Sequence, residues 1–196
     1  QRDRYKSNVK KRFGQMKCVT FSRKGQAARI PAVVASQGGE KLIRFADADI
    51  RLDRQFLPAA KATTLMLELR AEVAWQQDTL TLFGKTHLLP RLHQWYGDAG
   101  TSYRWSGIQM NPNPWLPVLV KLRRKIEMLT RTQFNCVLIN LYRDGNDSMG
   151  WHADNEAVLG EQPVIASISL GAERDLLLRK QYSRKTSQRI ALTHGS

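Results

Sequence analysis

A histidine and an aspartate two positions apart, His152 and Asp154, are the residues of this chain best suited to metal chemistry. They follow an apolar, strand-like run over residues 137–142 and a glycine-containing turn over residues 143–147. Positions i and i+2 of an extended segment lie on the same face, so one metal ion can bind both side chains. With a second, distant histidine they would form the facial triad that binds Fe(II) and leaves coordination positions open.

Asn140 and Tyr142 place two polar side chains on one face of the strand-like run that precedes the pair. Buried polar groups need hydrogen-bonding partners, and a small acid bound to the metal would supply them. The structural alternatives are a histidine that only packs or hydrogen-bonds beside Trp151, and an Asn140 that is a buried structural amide. The sequence therefore predicts a metal site next to a site for a small acid.

Two helices and several strands would position these residues. Apolar residues at helical spacing predict helices over residues 59–75 and 115–129, and Pro114 is a suitable helix start. Apolar runs predict strands over residues 42–45, 80–90, 135–142, 163–170, 174–179 and 189–192. Two helices followed by a run of strands indicate an α+β domain around a sheet sandwich.

Basic residues are concentrated at the start of the chain. Residues 1–44 hold twelve Lys and Arg residues against Asp3 and Glu40, which is +10 of the formal net charge of +14. Such clusters favour a polyanionic partner such as nucleic acid, because phosphate contacts release counterions. Residues 1–40 show no clean periodicity, so we predict a basic, flexible N-terminal segment there and a folded domain over residues 41–196. The alternative is a disordered basic arm that contacts no nucleic acid.

Membrane and secreted proteins are disfavoured. No apolar run approaches the roughly 20 residues of a membrane span. The basic start of the chain lacks the apolar region of a secretory signal. Cys18 and Cys136 lie far apart and outside any CxxC motif, which favours two free thiols in a reducing compartment.

Several motifs taken together resemble the AlkB family of Fe(II)- and 2-oxoglutarate-dependent dioxygenases, most of all the homologues that act on duplex DNA. The motifs are Asn140-Leu-Tyr-Arg-Asp-Gly145, Gly150-Trp-His-Ala-Asp-Asn-Glu156, Pro163-Val-Ile-Ala-Ser-Ile-Ser-Leu-Gly171, Leu192-Thr-His-Gly-Ser196, Phe83-Gly-Lys85, Pro90-Arg91, Tyr96-Gly-Asp-Ala-Gly100 and Tyr103-Arg-Trp-Ser-Gly107. The resemblance covers the chain from about residue 42 onward. It implies a double-stranded β-helix (jelly-roll) dioxygenase core with N-terminal helices and a substrate-recognition hairpin lid.

The resemblance also implies roles for individual residues. His152 and Asp154 match two iron ligands, and Asn140 and Tyr142 match side chains that bind 2-oxoglutarate. The residues that match substrate contacts are Phe83, Gly84, Lys85, Tyr103, Arg104, Trp105, Asn155 and Glu156. Among them, Trp105 would stack on the target base and Phe83 would wedge into the duplex in its place. From the residues alone, Phe83 could equally pack against its own hairpin, and Trp105 could belong to the core.

Lys85, Arg91 and Arg104 are expected where phosphates would pass. The activity implied is oxidative demethylation of bases such as 1-methyladenine and 3-methylcytosine in DNA repair. It uses O2, converts 2-oxoglutarate to succinate and CO2, and releases formaldehyde. An RNA demethylase and a non-catalytic nucleic-acid-binding module are the alternatives. The expected partner is DNA with alkylated bases, bound by a monomer in the bacterial cytoplasm or the eukaryotic nucleus.

One departure from the family concerns the third iron ligand, a histidine on a strand that follows the His194-Gly195-Ser196 turn. The arginines that clamp the far carboxylate of 2-oxoglutarate come later still. His194 matches the histidine of the turn and not the ligand. The third ligand is therefore expected beyond Ser196, the domain is expected to be incomplete at its C-terminal end, and the 196-residue chain is expected to have weak or no activity.

Overall fold

The computed structural model describes residues 5–10, 16–22, 40–45, 48–101, 103–105, 108–153, 163–180, 182–183 and 188–196. Its helices are α1 (Ala59–Glu72) and α2 (Pro117–Thr130). Its strands are β1 (Tyr5–Lys10), β2 (Met16–Ser22), β3 (Glu40–Phe45), β4 (Ala48–Asp53), β5 (Thr79–Leu82), β6 (Lys85–Leu88), β7 (Leu92–Gly97), β8 (Tyr103–Trp105), β9 (Ile108–Met110), β10 (Cys136–Tyr142), β11 (Met149–His152), β12 (Ala166–Gly171), β13 (Arg174–Lys180) and β14 (Gln188–Leu192).

The strands form two four-stranded antiparallel sheets and three hairpins. The helix-side sheet has the order β12-β2-β10-β7, and the second sheet has the order β11-β1-β13-β14. The hairpins are β3-β4, β5-β6 and β8-β9. Helices beside mostly antiparallel sheets agree with the predicted α+β class. The predicted order of elements is wrong, however, because four described strands precede α1 and five lie between α1 and α2.

Both helices pack against the helix-side sheet through a single apolar cluster. Ala62 and Leu69 of α1 and Leu119 of α2 are fully buried in this cluster. Pro117, and not the predicted Pro114, stands in the first turn of α2, where a missing N–H costs nothing because that group has no intrahelical partner. The helix ends at Arg131, which adopts a left-handed conformation with φ of 51°.

The N-terminal strand β2 lies in the middle of the helix-side sheet, between β12 and β10. Its Val19 and Phe21 are 0 % exposed and belong to the core cluster. The Phe21 ring stacks on Trp115 at a centroid distance of 6.3 Å. Residues 5–10 and 16–22 thus form strands within the segment that the sequence predicts to be flexible, and β1 lies between β11 and β13 in the second sheet. The proposed domain boundary near residue 40 stays a prediction.

Tyr142 at the end of β10 joins the two sheets. It is 1 % exposed and packs against Met149, Leu176 and Leu192, which belong to β11, β13 and β14 of the second sheet. Asn140 lies two residues earlier on the same strand and is 3 % exposed. Because strand side chains alternate between faces, Asn140 and Tyr142 share the face of β10 that lies towards the second sheet.

Within the described ranges, no helix is long and apolar enough to cross a membrane. Cys136 is buried and is not part of a disulfide, in agreement with the prediction for this thiol. Its Sγ lies 3.3 Å from Oγ of Ser22 on the neighbouring strand β2. The side chain of Cys18 lies outside the described part of the structure.

Candidate active site

The turn between β10 and β11 sets the position of the predicted metal ligands. Arg143 holds Asp147 across this turn through two parallel bonds, Nε to Oδ2 at 2.7 Å and Nη2 to Oδ1 at 2.9 Å. The backbone N–H of Arg143 also donates to Oδ2 of Asp147 at 2.9 Å. Paired bonds between a guanidinium and a carboxylate fix both distance and plane. The turn is therefore a rigid connection from β10 to β11.

A second arginine, Arg174 of β13, binds the backbone of the same turn. Its guanidinium is 0 % exposed and donates to the backbone oxygens of Asp147, at 2.7 Å, and Asp144. It also lies 4.8 Å from the ring centre of Tyr142. These carbonyl partners and the aromatic face of Tyr142 offset much of the cost of burying the cation, while Nε of Arg174 has no hydrogen-bond partner among the described residues. Arg174 is not identified from the sequence as a structural residue. The signal that could have indicated it is a charged residue at the start of an apolar strand.

These contacts keep Asp147 ionised. Burial alone would raise the pKa of the Asp147 carboxyl, but the hydrogen bonds and charge of Arg143 outweigh it, and the pKa is lowered. The hydrogen bond to Asp147 correspondingly raises the pKa of Arg143. The turn therefore depends on a charged carboxylate, which makes it sensitive to acid.

His152 is the last residue of β11 and is half-buried. Its Nδ1 lies 2.9 Å from the backbone oxygen of Gly150. A carbonyl oxygen can only accept, so Nδ1 carries the proton and the lone pair of the neutral imidazole is on Nε2. This is the arrangement in which second partners orient metal-binding histidines. The local contacts of His152 therefore fit a metal ligand.

The rest of the metal site cannot be built from side chains that the structure describes. Asp154, Asn155 and Glu156, predicted as ligand and substrate contacts, lie outside the described residues. Over the residues that are described, no three His, Cys, Asp or Glu side chains come together to hold a metal ion. In the sheet, His152 is paired with Ser7 of β1. The described donor set is thus incomplete for a three-ligand iron site.

The predicted co-substrate residue Asn140 has a buried cationic partner. Nε of Arg91 donates to Oδ1 of Asn140 at 3.0 Å. Arg91 is 5 % exposed, so the prediction that it lines a path for phosphates is wrong. Burial lowers the pKa of Arg91, and the nearby Tyr142 and Asp147 oppose that shift. An arginine still keeps its charge in such an environment. The cluster of Arg91, Asn140 and Tyr142 therefore combines a buried positive charge with polar groups.

His93 of β7 extends this cluster. It is the register partner of Asn140 in the helix-side sheet and is 3 % exposed. Its Nε2 lies 3.2 Å from Oδ2 of Asp78, a close contact that lacks hydrogen-bond alignment. Burial lowers the pKa of His93; Asp78 opposes the shift and Arg91 adds to it. His93 is therefore neutral near pH 7. No local sequence pattern predicts this pairing, because His93 and Asn140 belong to strands that lie far apart along the chain.

The β5-β6 hairpin carries the predicted wedge. Phe83 is 104 % exposed at its tip, so the alternative that Phe83 packs on its own hairpin is wrong. Phe83 and Gly84 have φ of 50° and 74°, which is the pattern of a two-residue type I′ turn. The left-handed region suits Gly84 but costs a non-glycine residue roughly 1–2 kcal/mol. Lys85 follows and is exposed.

The other predicted substrate contacts are partly outside the described structure. Tyr103, Arg104 and Trp105 form β8, which pairs with β9 so that Trp105 is opposite Ile108. Their side chains lie outside the described part. The choice between base platform and core residue for Trp105 therefore stays a prediction. The Tyr96–Gly100 motif is a structural turn, in which Asp98 accepts from Nε1 of Trp115 at 2.8 Å.

His194 has both ring nitrogens engaged in the fold. The N–H of Gly171 donates to its Nδ1 at 2.9 Å, so its Nε2 carries the proton and donates to Oγ1 of Thr63 at 3.1 Å. These bonds tie the C-terminal turn to β12 and α1. They agree with the interpretation of His194 as a turn residue and leave no lone pair for a metal.

Comparison with known proteins decides the family. The model of the 2OG-Fe(II) oxygenase superfamily matches residues 49–196. The chain belongs to the 2OG-Fe(II) oxygenase superfamily. Membership of this superfamily implies Fe(II), 2-oxoglutarate and O2 as cofactor and co-substrates. The match includes β10, β11 and the turn between them, so the cluster around Asn140 and the His152 strand lie inside the oxygenase domain.

Some relatives of this chain are named as DNA oxidative demethylases, and others as alpha-ketoglutarate-dependent dioxygenases. The chain is 42 % identical over 147 residues to the DNA oxidative demethylase ALKBH2 of Homo sapiens, covering 70 % of this chain and 56 % of the relative. It is 39 % identical over 150 residues to the alpha-ketoglutarate-dependent dioxygenase alkB homolog 3 of Homo sapiens, covering 72 % and 52 %. The ALKBH2 of Arabidopsis thaliana is 32 % identical over 145 residues, covering 72 % and 46 %. The chain thus spans about half the length of these relatives.

Proposed function

We propose that this oxygenase removes methyl groups oxidatively from alkylated DNA bases of the 1-methyladenine and 3-methylcytosine type. The observation that carries the proposal is Phe83, a fully exposed aromatic side chain held in a strained conformation at a hairpin tip. Strain that persists at an exposed position points to function, since nothing in local packing requires it. The relatives named as DNA oxidative demethylases support the same substrate class.

The hairpin is suited to a damaged base in a duplex. A base inside a duplex must be turned out of the stack before an enzyme can reach it, at a cost of a few kcal/mol. An apolar wedge inserted in its place replaces part of the lost stacking. Phe83 would be that wedge, and the exposed Lys85 beside it would contact the backbone phosphates. Trp105 would stack on the extruded base, with Tyr103, Arg104, Asn155 and Glu156 around it.

The interior of the domain is suited to a dicarboxylate. Asn140 and Tyr142 would bind 2-oxoglutarate, and the buried guanidinium of Arg91 would add the positive charge that a carboxylate needs. His152 and Asp154 would hold iron at the end of β11. Bound Fe(II) and 2-oxoglutarate would supply oxidation of the methyl carbon by O2, with succinate, CO2 and formaldehyde as products. The two four-stranded sheets support a jelly-roll core around this site. The protein would act on DNA as a monomer.

The wedge is tested by binding to a duplex oligonucleotide that carries one 1-methyladenine, compared with the same methylated strand alone as DNA or RNA. Phe83→Ala is compared with Tyr182→Ala, because Tyr182 is also exposed, at 92 %, with a positive φ of 68°, but belongs to the segment between β13 and β14 and not to the hairpin. We expect Phe83→Ala to weaken duplex binding about tenfold, as the loss of one stacking contact predicts. Binding of the single strands should be unchanged, and Tyr182→Ala should match the wild type.

If Phe83→Ala and Tyr182→Ala bound the duplex equally tightly, Phe83 would not act as a wedge. If the methylated RNA strand were then bound most tightly, the substrate would be RNA. If the oligonucleotides were bound regardless of methylation, the protein would be a nucleic-acid-binding module without base recognition.

A further inference from the structure

A groove of about 430 Å³ lies between α1 and α2, and we call it the helix groove. Its floor is apolar, because Val118 and Leu122 of α2 are buried and Leu65 of α1 is half-buried. The residues of α1 that line it, at positions 60, 61, 64, 65 and 68, follow helical spacing over about two turns. The helix groove is therefore an apolar surface that runs along one face of each helix.

The helix groove and the proposed co-substrate site lie on opposite sides of the helix-side sheet. Val137 and Ile139 of β10 belong to the apolar cluster into which α1 and α2 pack. Side chains alternate between the two faces of a strand, so Asn140 and Tyr142 point away from the helices, towards the second sheet. The helix groove is therefore separate from the site proposed for demethylation, and an inference about it does not depend on that activity.

Positive charge surrounds the apolar floor. Three lysines line the helix groove, Lys61, Lys121 and Lys125, against one acidic residue, Glu68. Among the residues that the structure describes, no carboxylate forms an ion pair with any of the three lysines. Arg123 differs from them, because it lies on the same helix α2 and forms ion pairs with two carboxylates of the fold. The lysines of the helix groove are therefore available to a negatively charged partner.

Lys125 is held in place at one end of the helix groove. Its Nζ donates to the backbone oxygen of Phe56 at 2.9 Å and lies 4.4 Å from the centre of the Phe56 ring. Burial lowers the pKa of Lys125, and the charge of Lys61 lowers it further, whereas Asp53 opposes the shift. Two lysines from different helices thus repel each other across the helix groove. A carboxylate bound beside them would relieve this repulsion.

We propose that the helix groove binds an acidic, amphipathic helix of a partner protein. Such helices bind in apolar grooves through a row of apolar side chains at positions i, i+4 and i+7, and the floor of the helix groove would hold that row. Carboxylates beside the row would pair with Lys61 and Lys121. DNA is the other polyanion to consider, but its phosphates would contact only the lysines and leave the apolar floor uncovered. The apolar floor therefore favours a protein partner.

The test measures binding of a fluorescently labelled synthetic peptide by the 196-residue chain at physiological salt. The peptide is helical, with leucines at positions i, i+4 and i+7 and glutamates beside them. Lys121→Glu is compared with Arg124→Glu, which makes the same charge change at an exposed residue of α2 outside the helix groove. We expect Lys121→Glu to weaken binding roughly tenfold, because it removes an attraction and adds a repulsion. Arg124→Glu should match the wild type, since salt screens distant charges.

Two further comparisons separate the contributions of charge and apolar contact. Lys61→Glu changes the charge of the helix groove from α1, and it should weaken binding as Lys121→Glu does. A peptide of the same composition, with its leucines distributed around the helix, should bind the wild type about tenfold more weakly than the ordered peptide. A peptide with lysines in place of the glutamates should bind Lys121→Glu more tightly than it binds the wild type.

Thermal melting of each variant shows that the fold is intact. Equal weakening by Lys121→Glu and Arg124→Glu would overturn the proposal, because the attraction would then come from the net charge of the chain. Equal binding of the two leucine peptides by the wild type, or no binding of either at about 1 mM, would also overturn it. If an undamaged DNA duplex displaced the ordered peptide and bound Lys121→Glu more weakly than Arg124→Glu, the helix groove would be a nucleic-acid surface instead.

Discussion

Nε of Arg91 donates to Oδ1 of Asn140 at 3.0 Å, and both side chains are buried. The bond links the residue before β7 to the centre of β10, where Tyr142 follows two residues later. It holds the amide of Asn140 in one orientation, since the side-chain oxygen must face the donor. Arg91 therefore orients a residue proposed to bind the co-substrate, in addition to carrying charge.

Replacing Arg91 by alanine should destabilise the domain. The change leaves the buried Oδ1 of Asn140 without this donor, which costs about 1–3 kcal/mol. Urea unfolding measures the loss, and binding of 2-oxoglutarate should weaken in parallel. Arg54→Ala is the matched control, because Arg54 is exposed and its removal should change stability by less than about 0.5 kcal/mol. An Arg91→Ala variant as stable as the control would show that the bond contributes nothing.

Acid should weaken the fold through Asp147. Its pKa is lowered in the folded state, so its contribution to stability is complete above the unfolded pKa of about 3.9. That contribution is lost as the pH falls through the lower, folded pKa. Unfolding free energies measured between neutral pH and pH 2 should therefore decrease most steeply below about pH 4. Asp147→Asn should be less stable at neutral pH and show a flatter decrease; an unchanged slope would contradict the ionised turn.

Relief of strain at Phe83 should stabilise the hairpin. Phe83→Asn creates the residue pair preferred in type I′ turns and should raise the unfolding free energy by about 1 kcal/mol. Leu88→Asn is the control, because Leu88 is exposed on the same hairpin and is not in the turn. Chemical denaturation compares the two. A gain of stability together with a loss of duplex binding would show that the strain is kept for function; no gain would mean that the turn is relaxed with Phe83 in place.

Replacing His194 by alanine should lower the stability of the fold. His194→Ala removes the acceptor for the Gly171 N–H and the donor to Thr63, at a cost of about 1–3 kcal/mol. His87→Ala serves as its control, since the imidazole of His87 is exposed on β6. Thermal melting should therefore separate the two variants. Equal melting temperatures would mean that the C-terminal turn holds without His194.

The parts of the fold that could be predicted from the sequence are those specified by residue patterns within a short segment. The amphipathic spacing of α2, the apolar run of β10 and the Phe83-Gly84 tip each specify their structure within a few residues. All three agree with the prediction, apart from the shift of the start of α2 to Pro117. The site residues Asn140 and Tyr142 also share a face, because alternation along a strand is itself a local property.

The features that sequence missed depend on contacts between distant segments. β1 and β2 are short and have polar or charged residues among their apolar ones, and each pairs with neighbouring strands that come from far along the chain. Arg91 and Arg174 look like surface charges in the sequence, yet both are buried by segments far along the chain. Pairing over such distances leaves no periodic signal, so burial of a charge is visible only in the folded protein.

Removal of a base methyl group is measured most directly with a duplex oligonucleotide that bears one 1-methyladenine. The chain is incubated with it in the presence of Fe(II), 2-oxoglutarate and O2, and loss of the methyl group is followed by mass spectrometry together with formaldehyde release. We expect slow removal by the wild type and none by His152→Ala, because His152 is proposed to hold the iron. Removal by His152→Ala at the wild-type rate would contradict demethylation at this site.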